Sequence, residues 1–389
     1  MQESTIRKLL PHADKMKKKG IKVYHINIGQ PDIPTPKEFY EAIDRHREDV
    51  LSYGPSGGLE ELRHTIVDYL KRYDIDIDVN DVWITTGGSE AVLFSMLATC
   101  DYGDEIIVPE PFYTNYNGFA SIAGCKLIPL PTYAEDGFRP PKKKAFLSKI
   151  TKKTKAILIC SPNNPTGTIY TKDEMNYIAE IAREKDLFII SDEVYREFTF
   201  DGKRHTSVLS IEGIEDRVIM TDSISKRFSA CGARVGLIVS RNRKLMRMVL
   251  KLCQARLCPP TLEQIGAIGA FKVFDKYIPD MIKAYQIRRD VVFNEVKKIE
   301  GAFCKKPEGA FYTIIKFPIA DIEDFAKWML TDFSVDKKTT MIAPGPGFYA
   351  SKGKGVDEAR IAYVLEVDAL KEAMEILRRG VVDYSKCRR

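Results

Sequence analysis

The segment Ala156-Ile157-Leu158-Ile159-Cys160-Ser161-Pro162-Asn163-Asn164-Pro165-Thr166-Gly167 decides the reading of the fold. It opens as a short β-rich apolar run and closes in the serine, asparagine, proline and glycine that stop a strand and turn the chain. Similar runs recur at 82–86, 105–108, 126–130, 187–191, 218–221 and 235–240, with helical patterns between them. Such alternation predicts an α/β fold: a large three-layer domain built on a mostly parallel sheet. Helix starts agree with this segmentation. Thr171 to Glu174 and Thr261 to Gln264 read as capping boxes, and Thr35-Pro36-Lys37-Glu38 adds a proline at the first helical position. Past residue 271 a long charged helical stretch gives way to strand character around 310–317, which predicts a smaller α+β domain completed by the N-terminal residues. The division expected is 46–285 for the large domain, and 1–45 with 286–389 for the small one.

Composition fits a folded globular protein. The chain has 389 residues, 44% of them hydrophobic and 29% charged, which argues against disorder, collagen and coiled coil. The formal charge is +6, and the basic clusters at 17–19, 142–144 and 152–153 are scattered among turns without interleaved aromatic residues. Neither nucleic acid nor a membrane is therefore expected as a partner, while small anions are compatible. The eight cysteines sit singly, mostly in apolar contexts, and even the closest pair, Cys253 and Cys258, lacks companions at zinc-ligand spacing. Reduced core thiols in a cytoplasmic protein, and no metal site, are the expectation. Residues 1–20 lack the apolar centre of a signal peptide, and no later run approaches the roughly 18 apolar residues of a membrane span.

Two glycine-rich patterns suggest other chemistry. Gly345-Pro346-Gly347-Phe348-Tyr349-Ala350 fits a dinucleotide fingerprint in spacing, but the loop-like Ser351-Lys352-Gly353-Lys354-Gly355 follows where a helix is required. Gly54-Pro55-Ser56-Gly57-Gly58 has nucleophile-elbow spacing, so a serine hydrolase using Ser56 is one alternative, with His205 as the histidine late enough in the chain to be its base. The elbow lacks a buried strand leading into it.

Thr86-Gly87-Gly88-Ser89-Glu90-Ala91 is a stronger anion site. An apolar strand ends there, two glycines allow a tight turn, and a helix begins whose free N–H groups attract phosphate. Asn164, Asp192, Tyr195 and Lys226 follow the ends of later runs, and Arg234 lies eight residues beyond the lysine. The carboxyl edge of an open parallel sheet is where ligands bind, so these groups can converge on one crevice. A lysine, an acid, a phenol, an amide and an arginine beside a phosphate cradle suit pyridoxal 5′-phosphate, which needs an imine-forming lysine and a carboxylate facing its pyridine nitrogen.

On these motifs, above all Asn163-Asn164-Pro165-Thr166-Gly167 and Ser223-Ile224-Ser225-Lys226 with Arg234, the chain resembles the fold-type I pyridoxal-phosphate aminotransferases of class I/II, the aspartate aminotransferase family. The resemblance runs from Gly29-Gln30-Pro31-Asp32 to Arg360 and implies the following roles. Lys226 matches the Schiff-base lysine, Asp192 the acid that pairs with the pyridinium nitrogen, and Asn164 and Tyr195 the groups that bond the cofactor's phenolic oxygen. Arg234, Ser223 and the Gly88-Ser89 turn match phosphate contacts, and Tyr113 the ring that stacks on the cofactor. Arg360 matches the grip on the substrate α-carboxylate, with Gly29 approaching by its backbone. Tyr53 resembles a tyrosine that reaches the phosphate across a homodimer interface.

The resemblance implies transfer of an amino group from an amino acid, with aspartate favoured, to a 2-oxo acid such as 2-oxoglutarate. Substrate choice is where the pattern departs. Ser89 stands where one branch of the family places a lysine for the distal carboxylate, and Arg256, upstream of Pro259-Pro260, is out of register with the arginine used by another. An aromatic- or alanine-type aminotransferase or a C–S lyase on the same scaffold is the nearest alternative, since a buried carboxylate without a cation costs several kcal/mol.

Overall fold

The computed structural model describes residues 7–46 and 48–387. Its strands are β1 (Lys22–His25), β2 (Val82–Thr86), β3 (Glu105–Glu110), β4 (Lys126–Pro131), β5 (Thr154–Cys160), β6 (Phe188–Asp192), β7 (Val218–Ser223), β8 (Val235–Val239), β9 (Tyr312–Lys316), β10 (Lys338–Met341), β11 (Ala343–Pro344) and β12 (Glu358–Ala362). Seven of them form one sheet in the order β2-β8-β7-β6-β5-β3-β4. Strand β8 is antiparallel to both neighbours and every other neighbouring pair is parallel, as the alternating pattern predicts.

Packing explains why β5 is apolar from Ala156 to Cys160. Ala156 and Leu158 join a core with Ala91 and Phe94 of the helix Gly87–Thr99 and Val249 of the helix Arg243–Arg256. Ile157 and Ile159 point the other way, into a second core with Ile178 and Ile181 of the helix Lys172–Lys185. With helices on both faces, no position of this five-residue run needs a polar side chain. Each fully buried side chain of this size contributes about 1.5–3 kcal/mol.

The rest of the chain builds two small sheets. Strands β11, β12 and β9 form an antiparallel sheet in that order. Strand β1 pairs in parallel with β10, from Lys22 opposite Lys338 to His25 opposite Met341, so N-terminal residues join C-terminal ones. The helix Phe274–Val296 runs through residue 285, where the division between domains was expected. Among the described residues no helix is long and apolar enough to cross a membrane.

Helix starts split. Thr171 and Glu174 form the capping box, each side chain bonding the other's backbone N–H. The helix Thr261–Phe271 instead takes Pro260 as its N-cap, with no side-chain cap. Thr261 is already inside the first turn, and Gln264 is diverted to the Pro259 and Pro260 carbonyls and to Leu59 N, at 2.8 Å. Likewise Pro36 is the N-cap of the helix Lys37–Arg45 rather than its first residue, and Thr35 donates to Ser229 O at 3.0 Å.

Candidate active site

The sheet register gathers the functional side chains. Cys160 at the end of β5 lies opposite Asp192 at the end of β6, and Asp192 opposite Thr221 of β7. Strand β7 runs on to Ser223, and the one-turn helix Ile224–Arg227 carries Lys226. Because β8 is antiparallel, its first residues lie at this same edge, Gly236 opposite Ser223 and Val235 opposite Thr86, which brings Arg234 to the start of the helix Gly87–Thr99. Gly87 turns with φ +77°, and a Cβ there would come within 2.1 Å of Arg234 Nη2. The Arg234 guanidinium thus lies against the helix N-terminus, two sources of positive charge on one spot.

One cavity of about 360 Å³ opens at this edge. Gly29, Gly88, Ser89, Tyr113, Asn164, Asp192, Tyr195, Ser223, Lys226, Arg234 and Arg360 all line it. Tyr53 does not, and its side chain is 82% exposed.

Lys226 Nζ donates to Gly29 O at 2.7 Å and lies 3.6 Å from Cys231 Sγ. Asp192 is buried, its Oδ2 accepting from Tyr116 Oη at 2.7 Å and its Oδ1 from Val194 N at 3.3 Å. Burial pushes this carboxyl up to about 6, although the Tyr116 and Val194 bonds pull it down. Arg360, also buried, donates to Asn164 Oδ1 at 2.9 Å and to Asn27 O at 2.6 Å, with its guanidinium 4.4 Å from the Tyr312 ring centroid. The Tyr195 and Tyr312 hydroxyls are 3.0 Å apart, and burial raises the Tyr195 phenol well above its ordinary value. Tyr113 meets the Tyr116 ring edge-on at 5.4 Å.

The sequence reading missed Tyr116, Tyr312, Asn27 and Cys231. Tyr116 falls three residues after Tyr113, so its spacing could have singled it out, whereas Tyr312 opens β9 directly after Phe311 and has no such spacing signal. It also left two sites that the structure does not assemble. His205 Nε2 sits 2.9 Å from Glu193 Oε2, a buried carboxylate already paired with Arg196, and Ser56 is not part of the cavity, which removes the hydrolase arrangement. Arg256 Nε lies 3.3 Å from Glu90 Oε2 and its Nη2 donates to the Ile84 and Ser56 carbonyls, so this arginine is engaged within its own chain. Gly345–Phe348 forms a short 3-10 turn rather than the opening of a helix, as the loop after it suggested.

An α/β fold whose sheet edge holds a lysine, a buried carboxylate and two arginines beside a helix N-terminus defines an enzyme that handles small anionic substrates. Residues 21–336 match the family model described as aminotransferase class I and II, and the chain belongs to that family. It is 30% identical to the aspartate aminotransferase of Bacillus subtilis, covering 98% of this chain and 97% of that relative. The crystal structure of aspartate aminotransferase from Thermotoga maritima matches with a TM-score of 0.89 at 29% identity over 98% of both chains. Alanine aminotransferase from Pyrococcus furiosus matches with a TM-score of 0.88 at 32% identity, again over 98% of both.

Membership implies pyridoxal 5′-phosphate as cofactor, and the donor set fits it. The amine of Lys226 suits the aldehyde, and the buried carboxyl of Asp192, raised by desolvation, suits a cationic ring nitrogen. At Gly87 the absence of a side chain leaves room for the Arg234 guanidinium beside the free N–H groups that would receive a phosphate.

Proposed function

We propose that this aminotransferase takes its amino group from aspartate and passes it to a 2-oxo acid such as 2-oxoglutarate, with the cofactor held in the cavity at the sheet edge. The observation that carries the reading is the meeting of Lys226, Asp192 and Arg360 on one cavity wall system, although they come from three different parts of the chain.

When bound, pyridoxal phosphate supplies an electron sink next to the substrate Cα. Asp192 keeps the ring nitrogen protonated by placing a negative charge opposite it. Asn164 and Tyr195 donate hydrogen bonds to the phenolic oxygen, while Arg234, Ser223 and the Gly88-Ser89 backbone hold the phosphate. Tyr113 covers the ring face. Arg360 pairs its planar fork with the substrate α-carboxylate, already braced by Asn164 and the Asn27 carbonyl, and Gly29 lies beside it. That grip orients the substrate so that its Cα–H bond faces Lys226. With the cofactor bound, the Lys226 amine would take the proton from the substrate Cα as a general base and, as the resulting acid, would deliver it to the cofactor's C4′ rather than back to Cα.

The exposed Tyr53 supports a homodimer in which this ring serves the phosphate site of the other copy. We place the enzyme in the cytoplasm and divide it at 46–285, with 1–45 and 286–389 as the second domain.

Two measurements test the reading. Borohydride treatment of the yellow holoenzyme should leave a cofactor-derived mass on the peptide containing Lys226, and Lys226→Ala should lose at least about 10³-fold in turnover. A panel of donors against 2-oxoglutarate should give aspartate the highest kcat/KM. Near wild-type turnover in Lys226→Ala would remove the mechanism, and a higher kcat/KM for phenylalanine or alanine would remove aspartate.

A further inference from the structure

We infer that Arg7 selects dicarboxylic substrates by pairing with the distal carboxylate that Arg360 leaves free. The inference rests on the aspartate reading above and names the cation which that reading lacks. Ser89 is neutral, and Arg256 is occupied by Glu90. Among the cations lining the cavity, Lys226 donates to Gly29 O, Arg234 to Cys231 O, and Arg360 to Asn164 and the Asn27 carbonyl. Arg7 lines the same cavity, is exposed, and has no hydrogen-bond or ion-pair partner among the described residues.

Its place follows from the packing of the N-terminal segment. The 3-10 turn Arg7–Leu9 leads into the helix Leu10–Lys18, whose Ala13 and Met16 are buried in the same core as Val23 and Tyr24 of β1. Beyond β1 the chain continues as Asn27, Ile28 and Gly29 along the cavity, where it accepts from Arg360 and Lys226. One segment of chain therefore carries Arg7 at its head and the α-carboxylate and proton-transfer contacts at its tail. Leu10, Ile28 and Phe119 also line the cavity, so Arg7 borders it beside apolar residues. As substrate displaces water there, a carboxylate without a cation would be penalised, and the Arg7 fork removes that penalty. Arg7 is thus a specificity-determining residue that touches substrate away from the reacting atoms.

The experiment compares wild type with Arg7→Gln and Arg7→Glu, using the ratio of kcat/KM for aspartate to kcat/KM for alanine. Arg7→Gln should lower that ratio by about 10- to 100-fold, the range of one charge-assisted bond, and Arg7→Glu should lower it further. Calorimetric titration with the unreactive succinate and propionate should show the same bias, with succinate weakened more. Thermal melts should coincide for all three proteins, since the side chain is exposed and unpaired. A wild-type preference for aspartate that survives unchanged in Arg7→Gln overturns the inference alone. A wild type without that preference overturns the aspartate reading, and the inference with it.

Discussion

The phenol of Tyr116 donates to Asp192 Oδ2 at 2.7 Å, linking a helix that follows β3 to the end of β6. The bond favours the charged form of a carboxyl that burial pushes toward neutrality. Tyr116→Phe keeps the ring against Phe112 and Tyr113 and removes only the donor. The loss of one bond to a charged group, about 1.5–3 kcal/mol, should raise the dissociation constant of pyridoxal phosphate about 10- to 100-fold. Absorbance titration of the apoprotein with cofactor checks this, and an unchanged constant would show that the bond does not bear on cofactor binding.

The same carboxyl makes apoprotein stability depend on pH. Its folded value of about 6 lies above the ordinary 3.8, so the folded state holds a proton that the unfolded state has released. Between those values stability falls as pH rises, and above pH 6 the deficit is constant, at about 3 kcal/mol for a shift of this size. Asp192→Asn removes the deficit. The variant apoprotein should melt above wild type at pH 7.5, and the gap should close below pH 4. With cofactor present the order reverses, because wild type then gains a cationic partner that the amide cannot match. A gap independent of pH would contradict the assignment to Asp192.

Legibility in the sequence followed burial. Strand β5 was legible because helices cover both of its faces, so its apolar run is unbroken, and the residues just past β5, β6 and β7 were legible because polar groups stop those runs abruptly. Tyr312 was not, since one aromatic residue in the run Phe311-Tyr312 looks the same whether it fills the core or faces a ligand. The box at Thr261 failed for a local reason, because Pro260 takes the cap position and leaves the threonine hydroxyl inside the helix. Arg7 carried no signal at all: a cation ahead of an amphipathic helix reads as surface until the fold brings it to the cavity.

Gly87→Ala tests the phosphate end. The positive φ is strained for alanine, and the new methyl would meet Arg234 Nη2 at 2.1 Å, so the guanidinium must leave its place against the helix N-terminus. Weaker cofactor binding, by about 10-fold or more, is expected together with a loss of about 1–2 kcal/mol in stability. Equilibrium dialysis and thermal melts separate the two effects. If only the melt changes, Arg234 does not contribute to phosphate binding from that position.

Arg227, the residue after Lys226, sits wholly inside the protein. Its Nη2 lies 2.7 Å from Asp222 Oδ2 and 2.6 Å from Tyr69 Oη, and its Nε lies 2.9 Å from Glu197 Oε1. Asp222 and Glu197 are buried as well. Arg227→Met fills much of the space but leaves two carboxylates without their cation, which should destabilise the protein by about 3–5 kcal/mol. Asp222 is already raised by burial with the arginine present, and without it rises further, so its protonation relieves the variant. Since the folded value of Asp222 then lies above its unfolded one, the stability deficit must grow with pH and shrink on acidification. Adding Asp222→Asn should return part of the loss at neutral pH, because one of the two buried charges is gone. Melting temperatures of the single and double variants at pH 5.5 and pH 8 decide the matter: equal deficits at both values, or no recovery in the double variant, would mean that packing rather than charge fixes the turn that carries Lys226.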